Sequence, residues 1–211
     1  MVTKRRECYP GAIYHITNRG NRQEIIFREE ADYGNYLSIL KSTLKFYEEE
    51  DYKLINYCFM SNHVHLLLKT AQKDPSFFMR RVNSMYAKYF NNKYEYIGHV
   101  FQGRYFSNII TNVIELLEVS RYIHLNPVRA NIVKKPEDYR WSSYNKIVSK
   151  DKEGNNLSYI SVDEILNVFD MYFIVEDNNN ENLKKKVRQR LDSRGKYKQF
   201  VEEKIKIVNE E

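Results

Sequence analysis

The stretch Lys53-Leu54-Ile55-Asn56-Tyr57-Cys58-Phe59-Met60-Ser61-Asn62-His63-Val64-His65-Leu66-Leu67-Leu68-Lys69 decides the fold. Two runs of β-favouring residues flank a short polar break, Ser61-Asn62. That pattern predicts two antiparallel strands joined by a tight hairpin. Alternation along the second strand sends Val64, Leu66 and Leu68 to one face and His63 and His65 to the other. The Cα atoms of the two histidines then lie about 7 Å apart, close enough for two ring nitrogens to converge on one cation.

Upstream, Tyr9-Pro10-Gly11 signals a turn, and Ala12 to Asn18 alternates as a first strand. Arg19-Gly20-Asn21-Arg22 is a polar, basic loop. From Glu29 to Glu50, Tyr33, Tyr36, Leu37, Leu40, Leu44 and Tyr47 recur at helical spacing. Downstream of the hairpin, Asp74 can cap a helix with Pro75 in its first turn, running to about Asn91. An irregular polar and aromatic segment, Asn92 to Gly103, leads to a strand over Arg104 to Ile110. Asn112, with Glu115 three residues on, opens another helix. Pro127 is expected to stop it, because the residue before a proline avoids helical angles.

The order is β-α-β-β-α-β followed by a helix. This is an α+β class, the ferredoxin-like split βαβ arrangement. It predicts one antiparallel sheet with two helices on one face. The tyrosine-bearing helix after the last strand, and a ligand, take the other face. Topology alone names no chemistry. Residues 1–145 are expected to form this domain. Residues 146–211 are expected to be a mostly helical, charged C-terminal extension: a surface loop over Lys150 to Ser158, a helix from Ser161 to Phe173, an acidic Asn-rich linker from Glu176 to Asn182, and a helical tail from Leu183 to Val208.

The chain has 211 residues, 34 Lys and Arg against 28 Asp and Glu, a net charge of +6 and a pI near 9.1. This balance suits a polyanionic partner. No window approaches the roughly 18 apolar residues of a membrane helix. Glu7-Cys8-Tyr9-Pro10-Gly11 follows Lys4-Arg5-Arg6 where a secretion signal needs an apolar stretch, so a cytoplasmic protein is expected. Cys8 and Cys58 form no disulfide framework.

The 18 tyrosines are mostly packing residues, and local context must single one out. Tyr122 and Asn126 stand four apart on the helix that opens at Asn112 and so share a face. The Asn126 amide oxygen can complete a His63–His65–Asn126 metal site with the Tyr122 phenol beside it. Two imidazoles with oxygen ligands suit Mg²⁺ or Mn²⁺, and Zn²⁺ is compatible with the ligand types. For nucleic acid, Arg80, Arg81, Gln102 and Arg104 lie in an aromatic and basic stretch, and Arg19, Asn21 and Arg22 can grip phosphate. The cluster Lys184, Lys185, Lys186, Arg188 and Arg190 reads as a solvated helix face or a second phosphate-binding arm.

Six segments taken together resemble the IS200-like, single-tyrosine transposases of the HUH nuclease superfamily, and most the branch associated with repetitive extragenic palindromes (REP). They are Tyr9 to Ile16, Arg19-Gly20-Asn21, Met60 to Leu68, Gly98 to Tyr105, Arg121 to Ala130 and Trp141 to Tyr144. They span residues 9 to 144 in the family's order, and the C-terminal third carries no matching motif. The resemblance implies His63 and His65 as metal ligands and Tyr122 as nucleophile. Asn126 stands where the broader family has glutamine, one methylene longer. It also implies single-strand DNA cleavage and strand transfer through a covalent 5′-phosphotyrosine, at DNA hairpins resembling REP palindromes. Members of the broader family exchange the tyrosine helix between subunits; the palindrome-associated branch implies a monomer rather than a homodimer. A non-catalytic hairpin-binding regulator on the same fold is the alternative. An RNA-recognition module would need aromatics where the strand from His63 to Lys69 has histidines and leucines. A histidine-triad phosphoesterase would need histidine where Leu67 stands.

Overall fold

The computed structural model describes residues 9–149, 159–177 and 193–205. Four strands, β1 (Ile13–Arg19), β2 (Lys53–Met60), β3 (His63–Lys69) and β4 (Phe106–Ile110), form one sheet in the order β2-β3-β1-β4. β1 pairs antiparallel with both β3 and β4. The helices are α1 (Glu30–Phe46), α2 (Pro75–Tyr94), α3 (Val113–Arg129), α4 (Tyr144–Val148), α5 (Val162–Asp177) and α6 (Ser193–Glu202). This is the antiparallel α+β, ferredoxin-like arrangement expected from the sequence. Two compact units emerge, one of residues 1–54 and 61–110, the other of residues 55–60 and 111–211.

In the first unit, alternation separates the two sides of β1 and β3. Tyr14, Ile16, Val64, Leu66 and Leu68 are buried on one side. Each such side chain contributes roughly 1.5–3 kcal/mol by leaving water. The buried Asn18 shares that side and donates to Asn83 of α2 at 2.8 Å, so the helices cover this face. α1 packs on α2 through an aromatic cluster in which Phe27 and Tyr86 both contact Tyr36 edge-on. The first turn of α1 is closed by a capping box between Glu29 and Asp32. The buried Asp32 carboxylate also accepts from Tyr89, Lys93 and Tyr94, tying α1 to the end of α2.

α1 ends at Phe46, short of the expected Glu50; Glu48–Glu50 form a 3-10 turn. Three carboxylates at the negative end of a helix oppose its continuation. α2 runs to Tyr94, past Asn91, because Arg28 stacks on Phe90 and Tyr94 and holds the last turn. β4 starts at Phe106 rather than Arg104.

In the second unit, α3 continues through Pro127 to Arg129, where a stop was expected. Pro127 and Val128 are buried, so packing of the last turn outweighs the one hydrogen bond that proline forfeits. The strand segment 55–60 is flanked by Trp141–Ser143: Phe59 donates to the Trp141 carbonyl at 3.0 Å and Ser143 to that of Tyr57 at 2.9 Å. This short run covers the strand's open edge.

A buried chain of hydrogen bonds joins this strand to α3 and α6. Asn56 Nδ2 donates to Ser120 Oγ, and Ser120 bonds Tyr197. The Tyr197 hydroxyl lies 2.9 Å from His124 Nδ1, and His124 Nε2 lies 3.0 Å from Ser143 Oγ. Around it, Ile165, Phe169, Tyr197 and Val201 of α5 and α6 are buried. Of the expected tail helix, Leu183 to Val208, the described part is helical over Ser193–Glu202, as α6. Residues 183–192, with the basic cluster, and the loop 150–158 lie outside the described residues, as does the expected linker beyond Asp177. Among the described residues no helix is long and apolar enough to cross a membrane.

Candidate active site

The register of the sheet assembles more on the histidine face than spacing alone revealed. Thr17 is paired with His65 and Arg19 with His63, so all four side chains share one face. His15, two residues before Thr17, joins them. The His63 and His65 rings meet edge to face with centroids 5.0 Å apart. The His15 and His65 rings stack at 5.3 Å.

Each imidazole of the pair has its Nδ1 engaged. His63 Nδ1 lies 2.6 Å from Asn62 Oδ1. His65 Nδ1 lies 3.1 Å from His15 Nε2 and 3.2 Å from Thr17 Oγ1. Ligating histidines are commonly oriented this way, the second nitrogen being held by a neighbour. Burial pushes the His63 pKa down to about 4, helped by the charge of Arg19. It pushes His65 down to about 3, with His63, His15 and Arg19 adding to it. Both rings are therefore neutral near pH 7, the form that binds a cation. No group of three His, Cys, Asp or Glu among the described residues is arranged to hold a metal. The pair fits a divalent cation only if amide, water or phosphate oxygens complete its shell.

α3 belongs to the second unit and is described by itself. Tyr122 is exposed (38 %), while its neighbours Arg121, Ile123 and His124 are buried. Asn126 Nδ2 donates to the Tyr122 carbonyl at 3.0 Å. The other end of that amide is its carbonyl oxygen, an acceptor. Arg129, one turn further, sets its guanidinium 5.6 Å from the Tyr122 ring centre. Tyr122, Asn126 and Arg129 thus form one polar stripe. His124 faces inward, as its helix position implies, and burial pushes its pKa down to about 3.

Beside the histidine face, a single ladder gathers most of the expected DNA-contact residues. Gly20 bridges Phe101, Asn21 N donates to the Val100 carbonyl at 2.9 Å, and Gln102 N donates to that of Arg19 at 3.0 Å. Arg19, Arg22, Gln102 and Arg104 are exposed there, with Asn21 half-buried. The loop depends on Gly20, where a Cβ would come within 2.2 Å of the Glu24 carbonyl oxygen. Arg80 and Arg81 are elsewhere: on α2 they stack on Phe77 and Phe46, in the helical layer behind the sheet.

Sequence reasoning did not single out His15, Thr17, Asn62, Phe106 or Arg129 as site residues. Phe106 pairs with Thr17 on the histidine face and is 62 % exposed. Strand alternation on β1 and β4 carried the signal for His15 and Phe106, but only the register showed which strands they meet. Within the aromatic and basic stretch, Phe78, Tyr86, Phe101 and Tyr105 are buried and so are packing residues.

The family model described as "Transposase IS200 like" matches residues 8–126. A putative REP-associated tyrosine transposase of Haemophilus influenzae is 23% identical over 165 residues, covering 70% of this chain and 88% of the relative. The solved structure of a REP-associated tyrosine transposase bound to a REP hairpin superposes with a TM-score of 0.56 at 19% identity, covering 77% of this chain and 90% of that one. The family match spans more than half of the sequence and takes in the paired histidines, Tyr122 and Asn126, so the chain belongs to the IS200-like transposase family.

Proposed function

We propose that this transposase cleaves and rejoins single-stranded DNA next to hairpins of the REP type, using Tyr122 as nucleophile. The observation that carries the reading is the pair of neutral imidazoles, His63 and His65, held on one sheet face with their Nδ1 atoms engaged. His63, His65 and Asn126 would hold Mg²⁺ or Mn²⁺, which would polarise the scissile phosphate and stabilise charge in the transition state. Tyr122 forms the new bond to phosphorus as its phenol proton passes to water. The P–O3′ bond breaks and the departing 3′ oxygen takes up a proton. The products are a 5′-phosphotyrosine and a 3′-hydroxyl, and phosphodiester energy is retained for rejoining. Arg129 counters charge near the phenol oxygen. Arg19, Asn21, Arg22, Gln102 and Arg104 grip the strand's phosphates, and Phe106 offers a base-stacking platform. Arg80 and Arg81 would contact DNA only where it reaches the helical layer. The protein acts in the cytoplasm as a monomer, with residues 1–145 as the nuclease domain and 146–211 as its extension.

Incubation with hairpin-flanked single strands and Mn²⁺ tests this. A covalent adduct is expected for the wild type and for Tyr105→Phe, and none for Tyr122→Phe. Tight hairpin binding with no adduct under any divalent cation would favour the non-catalytic regulator instead.

A further inference from the structure

The turn between β2 and β3 is held from outside by the loop that follows β1. Gly20 N donates to the Asn62 carbonyl at 2.8 Å. Ile26 N and Phe27 N both donate to the Ser61 carbonyl, at 2.9 and 3.0 Å. The loop achieves this through left-handed backbone at Arg22 (φ 51°) and Gln23 (φ 64°). The last of its grips falls on a side chain: Asn62 Nδ2 donates to the Gln23 carbonyl at 3.2 Å.

That bond settles which end of the Asn62 amide meets His63. A carbonyl oxygen accepts only, so Nδ2 must face Gln23 and Oδ1 must face the imidazole. Oδ1 also accepts only. The 2.6 Å contact with His63 Nδ1 therefore requires the proton on Nδ1. The lone pair is then left on Nε2. A neutral imidazole with no such partner favours the opposite form, with its proton on Nε2.

We propose that Asn62, clamped by the Gln23 carbonyl, is a positioning residue that holds His63 as its Nδ1–H tautomer and so presents Nε2 as a ligand atom. The functional consequence rests on the metal-site reading given above; the tautomer assignment does not. The Gly20–Phe27 loop thereby has a second task beside phosphate contact, because it orders the turn on which His63 begins β3.

Long-range ¹H–¹⁵N spectra of the metal-free, histidine-labelled protein at pH 7 read the tautomer directly. The wild type should show His63 protonated at Nδ1. Asn62→Ala should move it toward the Nε2–H form. Asn62→Asp, which keeps the acceptor, should retain Nδ1–H; backbone amide spectra of both variants report their folding. Titration with Mn²⁺, followed by paramagnetic broadening of the His63 and His65 signals, should show binding about 10–100-fold weaker in Asn62→Ala and restored in Asn62→Asp. A wild-type His63 protonated at Nε2, or a folded Asn62→Ala that keeps Nδ1–H, overturns the assignment. A changed tautomer with unchanged Mn²⁺ affinity overturns its consequence for metal binding. If the wild type binds no Mn²⁺, the metal-site reading falls, and the tautomer spectra still decide the role of Asn62.

Discussion

Tyr197→Phe removes one oxygen atom from the middle of the buried hydrogen-bond chain and leaves the ring's volume in place. The order of donors in that chain follows from its ends. Ser143 Oγ donates to the Tyr57 carbonyl, so it accepts from His124 Nε2–H. His124 Nδ1 then carries no proton and accepts from the Tyr197 hydroxyl. Ser120 accepts from Asn56 and donates to Tyr197. Without the hydroxyl, the Ser120 proton and the His124 Nδ1 lone pair both lose their partner where neither residue is exposed. A buried polar group left unsatisfied costs about 1–3 kcal/mol, so two such groups give roughly 2–4 kcal/mol after partial relaxation. Against a total stability of about 5–15 kcal/mol, that is a large loss. It corresponds to a fall of roughly 5–15 °C in Tm for a chain of this size. Urea unfolding followed by circular dichroism, with calorimetry for Tm, measures it. The matching control is Tyr144→Phe, whose hydroxyl donates to the partly exposed Glu202 and whose loss should cost about 1 kcal/mol. If Tyr197→Phe costs less than its control, the hydrogen-bond chain does not hold α3, and the C-terminal helix would be dispensable to the helix that bears Tyr122.

Two further outcomes are expected. Phe106→Ala should weaken binding of single strands by about 1–3 kcal/mol in fluorescence anisotropy, with little change in Tm, since base stacking on an exposed ring is lost. Asp32→Asn should destabilise by roughly 3 kcal/mol, because the buried acceptor of Lys93, Tyr89 and Tyr94 becomes an amide with one donating end. Burial opposes the Asp32 charge, but hydrogen bonds from Lys93, Tyr94, the Arg28 amide and Tyr89 outweigh it and hold the carboxyl below its usual range. A lowered folded-state pKa stabilises above the unfolded value and is lost as pH falls through the folded value. The gap between wild type and Asp32→Asn, followed by denaturation at successive pH values, should therefore narrow only below about pH 4.

What the sequence by itself determined was local and periodic. Two-residue alternation put His63 and His65 on one face. The helical repeat put Tyr122 and Asn126 on another, and turned His124 away from them. The hairpin break at Ser61-Asn62 and the element order gave the ferredoxin-like topology, because strand and helix periods are written in neighbouring residues. What only the tertiary structure decided were contacts between residues far apart in the chain. His15 reached His65, and Phe106 reached the histidine face, through pairings that a strand's own sequence does not encode. Pro127 stayed helical because burial of the last turn outweighed a local preference. Tyr197, read as part of a charged tail, became the partner of His124. Asn62, read as a turn residue, became the neighbour that sets the His63 proton. Spacing along a strand or helix fixes which way a side chain points, but the group it meets there depends on the register and packing of distant segments, and those are set by the free energy of the whole fold.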